Sequence, residues 1–119
     1  MVGMKEIQIE NINYINREFL ESLLSVYNFT AEKKIAEEDG LVILCLDEIE
    51  FLISWGTTED EALIMMAKDI LGYAEDYYND FAQWSRGNGK LHIPYILKAL
   101  MMNDVQKIKE SIICRLGEI

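Results

Sequence analysis

Four acidic side chains flank one apolar run of this chain, and carboxylates in such numbers are the groups that hold catalytic metal ions. Asp39 precedes the run, and Asp47, Glu48 and Glu50 follow it. A metal-dependent hydrolase would need these carboxylates to converge. Neighbours on a strand point to opposite faces, and strand rise separates Asp39 from Asp47 by on the order of 25 Å. We therefore predict solvated turn residues and no metal or cofactor, with a small metal-dependent hydrolase as the weakest alternative.

His92 is the single histidine of the chain, and histidine is the residue type best suited to acid–base catalysis near neutral pH. No nucleophile or orienting partner is recognisable beside it, so we predict a helix-cap or surface histidine. The preceding residues 87–90, Gly-Asn-Gly-Lys, lack the Ser or Thr that follows the lysine of a phosphate-binding loop. They predict a flexible loop between helices. The sequence thus predicts a protein that is not an enzyme.

The charge of the chain indicates what kind of partner it binds. The 119 residues carry a formal net charge of −10, and the pI is near 4.5. Direct nucleic-acid binding needs a Lys/Arg patch that replaces phosphate counterions, so the charge argues against it. A small basic protein is the better partner, because opposite charges attract over long range.

Cysteine use and hydropathy predict a cytoplasmic protein that does not contact a membrane. Cys45 and Cys114 are too few for a zinc site and are typical of buried thiols in a reducing compartment. Residues 1–10 hold no apolar signal-peptide core, and no segment approaches the ~20 apolar residues that span a bilayer.

Three runs predict β-strands, over residues 29–37, 41–46 and 49–55. Asp39-Gly40 between the first two is a strong β-hairpin signal. The second run is apolar on both faces, which is typical of a central strand. Short connections then make an antiparallel meander. Residues 4–15 alternate more loosely and predict either a short strand or an irregular arm.

A long apolar-periodic segment predicts the dominant helix, over residues 59 to about 85. Its main apolar stripe faces the sheet. A second stripe repeats every seven residues at Ile64, Leu71 and Tyr78. Either the terminal helices of the same chain or a second subunit would cover this stripe, and the sequence leaves both open.

Shorter helices are predicted on either side of this sheet-plus-helix module, over residues 16–27, 95–102 and 105–116. The last would bury Ile108, Ile112 and Leu116 on its inner face.

The junction between the third strand and the long helix is rich in capping residues. Gly56 ends the strand, and Thr58 is placed to accept a hydrogen bond from the amide of Glu61. Glu61 in turn is placed to accept from the amide of Thr58, as in a capping box. The acidic residues Glu59 and Asp60 lie where the helix dipole is positive.

These elements together predict an α+β fold. A three-stranded antiparallel β-meander is backed by one long helix, with additional N- and C-terminal helices. We expect a single domain of residues 1–119, built of an N-terminal arm and helix (1–28), the sheet-plus-helix module (29–85) and C-terminal helices (90–119).

The order of these motifs resembles the N-terminal module of the HicB-like antitoxins. The residues that carry the resemblance are Glu38-Asp39-Gly40 at the hairpin, the apolar run 41–46, and the junction 56–63, Gly-Thr-Thr-Glu-Asp-Glu-Ala-Leu. It covers roughly residues 29–80. The resemblance implies a partial RNase H-like fold and an antitoxin that neutralises a small basic ribonuclease-type toxin.

We therefore predict a non-catalytic protein-binding module, with a homodimer as the expected assembly. The alternative is an orphan homo-oligomeric structural or regulatory module. Aromatic and apolar side chains dominate the centres of protein interfaces. The candidate interface residues are Trp55, Ile64, Leu71, Tyr78 and Trp84.

Overall fold

The computed structural model describes residues 16–117, which form a four-stranded mixed sheet and five α-helices. The longest helix packs along one face of the sheet, so the predicted α+β fold is confirmed. In chain order the elements are α1 (Arg17–Leu24), β1 (Thr30–Ile35), β2 (Val42–Leu46), β3 (Ile53–Gly56), α2 (Glu59–Asn79), α3 (Phe81–Trp84), a 3₁₀ helix (Gly87–His92), α4 (Ile93–Met102), α5 (Val105–Ser111) and β4 (Ile113–Leu116). The predicted strand or arm over residues 4–15 lies outside the described residues.

The predicted meander is present, because β1 pairs antiparallel with β2 and β2 pairs antiparallel with β3. At the hairpin between β1 and β2, the Asp39 carboxylate accepts a hydrogen bond from the Leu41 amide at 3.1 Å. Gly40 has a φ of 71°, a left-handed conformation that glycine adopts without a Cβ clash. The Asp-Gly pair therefore reverses the chain as the sequence predicts.

The C-terminal residues correct the sequence prediction. The sequence predicts a helix over residues 105–116, whereas α5 ends at Ser111 and β4 pairs parallel with β1. Ile112 is extended, with φ −78° and ψ 124°. The Ile113 amide donates to the carbonyl of Phe29 at 2.9 Å. β-branched residues favour this geometry, and β1 offers an edge with which they can pair.

The core lies between the inner face of the sheet and α2. Alternate strand residues point inward, and α2 meets them with one apolar stripe; α4 and α5 close the far side of the helix. Each fully buried Leu, Ile or Phe contributes about 1.5–3 kcal/mol through apolar transfer. The largest fully buried side chains are Phe29, Leu44, Leu46, Ile49, Met66, Ile70, Tyr77 and Ile108.

The strand-to-helix junction forms the predicted cap in part. Thr58 has an extended backbone, and its Oγ1 accepts from the Glu61 amide at 3.1 Å. The carboxylate of Glu61, however, accepts from the hydroxyl of Thr57, where the sequence predicts a bond from the amide of Thr58. Gly56 is required because a Cβ there would lie 2.6 Å from the Cβ of Glu61. The first turn of α2 therefore lies directly against the end of β3.

The long helix ends earlier than the sequence predicts. The sequence predicts one helix to about residue 85, whereas α2 ends at Asn79 and Asp80 has φ −138° and ψ 60°. Asn and Asp favour such interruptions because their side chains compete for backbone hydrogen bonds. After the break, Phe81 faces solvent, and it is 55% exposed.

Residues 87–92 form a 3₁₀ helix where the sequence predicts a loop. The Tyr77 hydroxyl donates to the carbonyl of Gly89 at 2.7 Å. A Cβ on Gly89 would lie 1.9 Å from the carbonyl oxygen of Trp84, so only glycine permits this close approach. The end of α2 and the turn after α3 are therefore fixed to each other.

None of the helices within residues 16–117 combines the length and apolarity needed to cross a membrane.

The two thiols differ from the prediction of two buried cysteines, since Cys45 and Cys114 are both half-buried and free. Cys45 lies on the outer face of the sheet. Cys114 lies on the inner face, where burial raises the pKa of its thiol.

Candidate protein-binding surfaces

The outer face of the sheet carries an apolar patch at its β3 edge. Register places Trp55 beside Ile43, and Ile53 beside Cys45, with all four side chains on the face opposite α2. Trp55 is 62% exposed and Ile53 49% exposed. We call these four residues the outer sheet patch. An exposed aromatic among aliphatic neighbours on a rigid strand is a typical protein-binding surface.

The other half of the outer face is ionic. Arg115 on β4 makes paired contacts with the Asp47 carboxylate at 3.0 and 3.1 Å and reaches Glu32 at 3.3 Å. Lys34 lies 3.2 Å from Glu32. The hydrogen bond from Lys34, with Arg115 beside it, lowers the pKa of Glu32. The outer face therefore divides into an apolar half at β3 and a charge-paired half at β1 and β4.

A second apolar surface lies where α2, α3 and α4 meet. Tyr78 is 73% exposed, Phe81 55%, Leu97 41% and Ile93 38%. They border a cleft of about 200 Å³. We call these four residues the α2–α4 groove. Its wall is apolar throughout, so it suits contact with another apolar surface.

The seven-residue stripe of α2 is split by the fold. Ile64 and Leu71 are half-buried, and Leu71 packs against the core. Tyr78 remains exposed. The first two members of the stripe are therefore partly covered within the chain, and Tyr78 is the member most open to a second subunit.

Trp84 is half-buried in an aromatic cluster. Its ring meets Tyr73 edge-on with centroids 5.4 Å apart, and Phe51 meets the same tyrosine at 4.9 Å. Such pairs add about 0.5–1.5 kcal/mol beyond area burial. Trp84 therefore packs mainly within the protein, and only part of its ring is accessible to a partner.

His92 belongs to the same cluster. It occupies the cap position before α4 that the sequence predicts, although its side chain makes no capping hydrogen bond. It is buried, so the alternative of a surface histidine is wrong. Its Nδ1 lies 2.8 Å from the Tyr73 hydroxyl, and its Nε2 lies 3.5 Å from a Glu50 carboxylate oxygen. A carboxylate only accepts, so the proton is placed on Nε2 and Tyr73 donates to Nδ1. Burial raises the pKa of Tyr73 to about 12, which keeps the phenol protonated. The contacts of His92 with Tyr73 and Glu50 hold the turn before β3 against α2.

The turn carboxylates have separate partners. Asp47 binds Arg115, Glu50 faces His92, and Glu48 accepts from the Thr30 amide at 2.6 Å. Burial raises the pKa of Glu48, against the lowering effect of that hydrogen bond. Within residues 16–117 no three His, Cys, Asp or Glu side chains are grouped to hold a metal ion.

Comparison with known proteins adds the family. The model of the PHD-like family, described as antitoxin of toxin-antitoxin, RelE / RelB, TA system, matches residues 2–114. The chain belongs to this antitoxin family. Because the matching family is described by RelE and RelB, the narrower HicB-like resemblance is not confirmed. No curated protein matches the chain.

A solved structure supports the same family assignment for this chain. It is a crystal structure at 1.80 Å resolution from Syntrophomonas wolfei subsp. wolfei, described as the antitoxin part of a candidate toxin/antitoxin system. The identity is 31% and the TM-score 0.77, and the match covers 87% of this chain and 74% of that chain. The fold described above is therefore one that an antitoxin-like protein adopts.

Sequence reasoning names Trp55 and Tyr78 as candidate interface residues but misses their exposed neighbours. Ile53 lies two residues before Trp55 and shares its face, a signal that strand alternation already contains. Phe81 and Leu97 are missed because their exposure depends on the helix break at Asp80 and on the packing of α4.

Proposed function

We propose that this chain is a non-catalytic antitoxin that binds a small basic toxin of the ribonuclease type through the outer sheet patch and masks the toxin's RNA-binding face. The observation that carries the proposal is the exposure of Trp55 beside Ile53 on an edge strand. Trp is among the residue types that dominate binding energy at interfaces. Membership in an antitoxin family supports a toxin as the partner.

Charge supports a basic partner. The net charge of −10 would attract a basic toxin over long range and raise the association rate at low salt. A ribonuclease presents a basic surface to RNA, so an acidic inhibitor is suited to cover it. Cytoplasmic location follows from such a target and is part of the proposal.

The finer family assignment is also part of the proposal. The hairpin at Asp39-Gly40 and the junction from Gly56 to Thr58 support a HicB-like module over roughly residues 29–80, and both motifs form in the structure. Direct contact with nucleic acid is not expected, because the charge opposes it.

We further propose that the antitoxin is a homodimer joined through the α2–α4 groove. Tyr78 is the most exposed member and would lie near the two-fold axis of an isologous contact. Ile64, Leu71 and Trp84 are half-buried and would lie at the margin. An orphan homo-oligomeric module would use the same groove but would have no toxin partner.

The test is whether the chain captures a small basic protein, if one is encoded beside it, by co-expression and affinity purification at low and high salt. The wild-type chain is expected to capture it and to relieve its growth inhibition. Trp55→Ser is expected to weaken capture roughly tenfold or more, as for an interface hot spot. Phe19→Ser is the matched control, because Phe19 is 54% exposed on α1, outside the outer sheet patch. Failure of the wild-type chain to capture any basic protein would reject the proposal.

A further inference from the structure

A cleft on the β3 side of α2 combines aromatic rings with carboxylates. It has a volume of about 370 Å³ and lies between α2, the turn before β3, and α3. Aromatic walls come from Phe51, Tyr73 and Trp84, while Asp69 and Asp76 stand along α2 beside Gly72. We call this cleft the Gly72 groove.

The floor of the groove is Gly72, at a position where neither the backbone conformation nor a close contact requires glycine. Gly72 lies in the middle of α2, and a Cβ there would meet nothing within 4 Å. Glycine destabilises a helix interior relative to alanine. Neither a turn nor a close approach explains Gly72, and its effect on the surface is to keep the space between the aromatic wall and the two carboxylates open.

The charges of the groove favour a cation. Asp69 and Asp76 are seven residues apart, so they lie on one face of α2 at either side of Gly72. Asp69 also accepts from the buried Ser54 hydroxyl at 3.1 Å, which fixes its position. Among the described residues that line the groove, Lys68 is the one cation, against two carboxylates. Aromatic rings and carboxylates together bind a guanidinium or ammonium group.

We propose that the Gly72 groove binds one arginine or lysine side chain of the basic toxin, as a specificity site beside the outer sheet patch. This inference rests on the proposed function. Phe51 and Leu52 directly precede β3, and Ser54 of β3 binds Asp69, so the groove continues the same sheet edge that carries Trp55. Arginine is favoured over lysine, because its planar group stacks on aromatic rings and pairs with carboxylates.

The first experiment uses a capped tri-arginine peptide as the probe and does not need the toxin. The chain has two tryptophans, so a Trp55→Phe background leaves Trp84, at the groove, as the single tryptophan whose emission is followed. Titration at low salt is expected to change Trp84 emission saturably. Gly72→Leu in the same background fills the groove and is expected to weaken binding about tenfold, the loss of a desolvated cation–π contact. Equal affinity in both would indicate general attraction to an acidic protein and overturn the proposal.

Gly72→Ala is the matched control, since it adds only one methyl group to the same backbone position. It is expected to retain peptide binding, and both Gly72 variants are expected to melt no lower than the parent protein, because nothing obstructs the new Cβ. Asp76→Asn removes one carboxylate without changing shape and is expected to weaken binding as well. Unchanged binding by Asp76→Asn would contradict the assigned charge recognition.

The second experiment separates this inference from the proposed function. If the toxin is captured by the wild-type chain and Gly72→Leu weakens that capture, the groove is supported. If capture is lost in Trp55→Ser but unchanged in Gly72→Leu, the antitoxin proposal stands and the groove proposal is overturned. If the wild-type chain captures no basic protein, the toxin is rejected as the source of the side chain, whatever the peptide result.

Discussion

At the residue scale, three glycines show how differently one residue type is used in this protein. Gly56 and Gly89 lie where another part of the backbone leaves no room for a Cβ, whereas Gly72 faces open space. The sequence places the first two at a junction and a loop, and it gives no reason for the third. Only the packed structure distinguishes a glycine required by contact from one that leaves a surface open.

The first prediction concerns this contrast. Gly89→Ala is expected to lower the free energy of unfolding by about 1–3 kcal/mol, because its Cβ would collide with the carbonyl of Trp84 and force the backbone to shift. Gly72→Ala is expected to raise it by about 0.5–1 kcal/mol through helix propensity. Urea unfolding of both variants measures the difference, and an equal effect of the two substitutions would contradict the close approach at Gly89.

The second prediction concerns the partly buried carboxyl of Glu48. Burial raises its pKa in the folded protein above the ordinary 4.5, so the folded state holds this proton more tightly than the unfolded state. The wild-type protein must therefore lose stability relative to Glu48→Gln as the pH rises from below 4.5 toward neutrality. The glutamine oxygen still accepts from the Thr30 amide.

Urea unfolding across that pH range checks the prediction for Glu48. The unfolding free energy of Glu48→Gln relative to that of the wild-type protein is expected to increase with pH. It then levels off once the carboxyl is ionised in both the folded and the unfolded state. A gain that decreases with pH would mean that the hydrogen bond from Thr30 outweighs burial.

At the element scale, the positions where the helices begin and end determine which side chains reach the surface. The cap at Thr58 starts α2 directly after β3 and sets the helix against the sheet. The interruption at Asp80 moves Phe81 into the α2–α4 groove, and the end of α5 at Ser111 releases the residues that become β4. Each of these ends changes which side chains reach a surface.

The third prediction tests the cap of α2. Thr58→Ala removes the hydroxyl that accepts from the Glu61 amide and is expected to cost about 1 kcal/mol of unfolding free energy. Thr57→Ala serves as the control, because it removes a hydroxyl that bonds only the exposed Glu61 carboxylate and leaves the amide satisfied. Thermal or urea unfolding should rank Thr58→Ala as the more damaging, and the reverse order would contradict the assignment of the cap.

At the scale of the whole molecule, the two apolar surfaces lie on different elements. The outer sheet patch lies on β2 and β3, whereas the α2–α4 groove is formed by the helices. The proposed toxin contact and the proposed homodimer contact therefore use different residues. The homodimer remains a prediction at this scale.

The fourth prediction concerns that assembly. Tyr78→Ser combined with Leu97→Ser is expected to convert a homodimer to a monomer, because both exposed side chains lose apolar contact across the groove. Light scattering at low and high salt measures the mass. Trp55→Ser is expected to leave the dimer intact, and a dimer that persists in the double variant would place the interface elsewhere.

Local signals in the amino-acid sequence specify the hairpin, the strands of the meander and the start of the long helix. Asp39-Gly40 specified the hairpin, and three short strand-type runs, the second of them apolar on both faces, specified the meander. The residues from Gly56 to Thr58 specified the start of α2. These signals act between residues that are close in the chain, so turn geometry, strand periodicity and helix capping can be predicted without the tertiary structure.

The tertiary structure decided what depends on distant partners. β4 forms because β1 presents an edge to Ile113, although the sequence of this segment also fits a helix. His92 is buried because Phe51 and Tyr73 surround it. Exposure of the candidate binding residues, and the open space above Gly72, likewise depend on which elements pack together. Such contacts join residues far apart in the chain, so no local pattern records them.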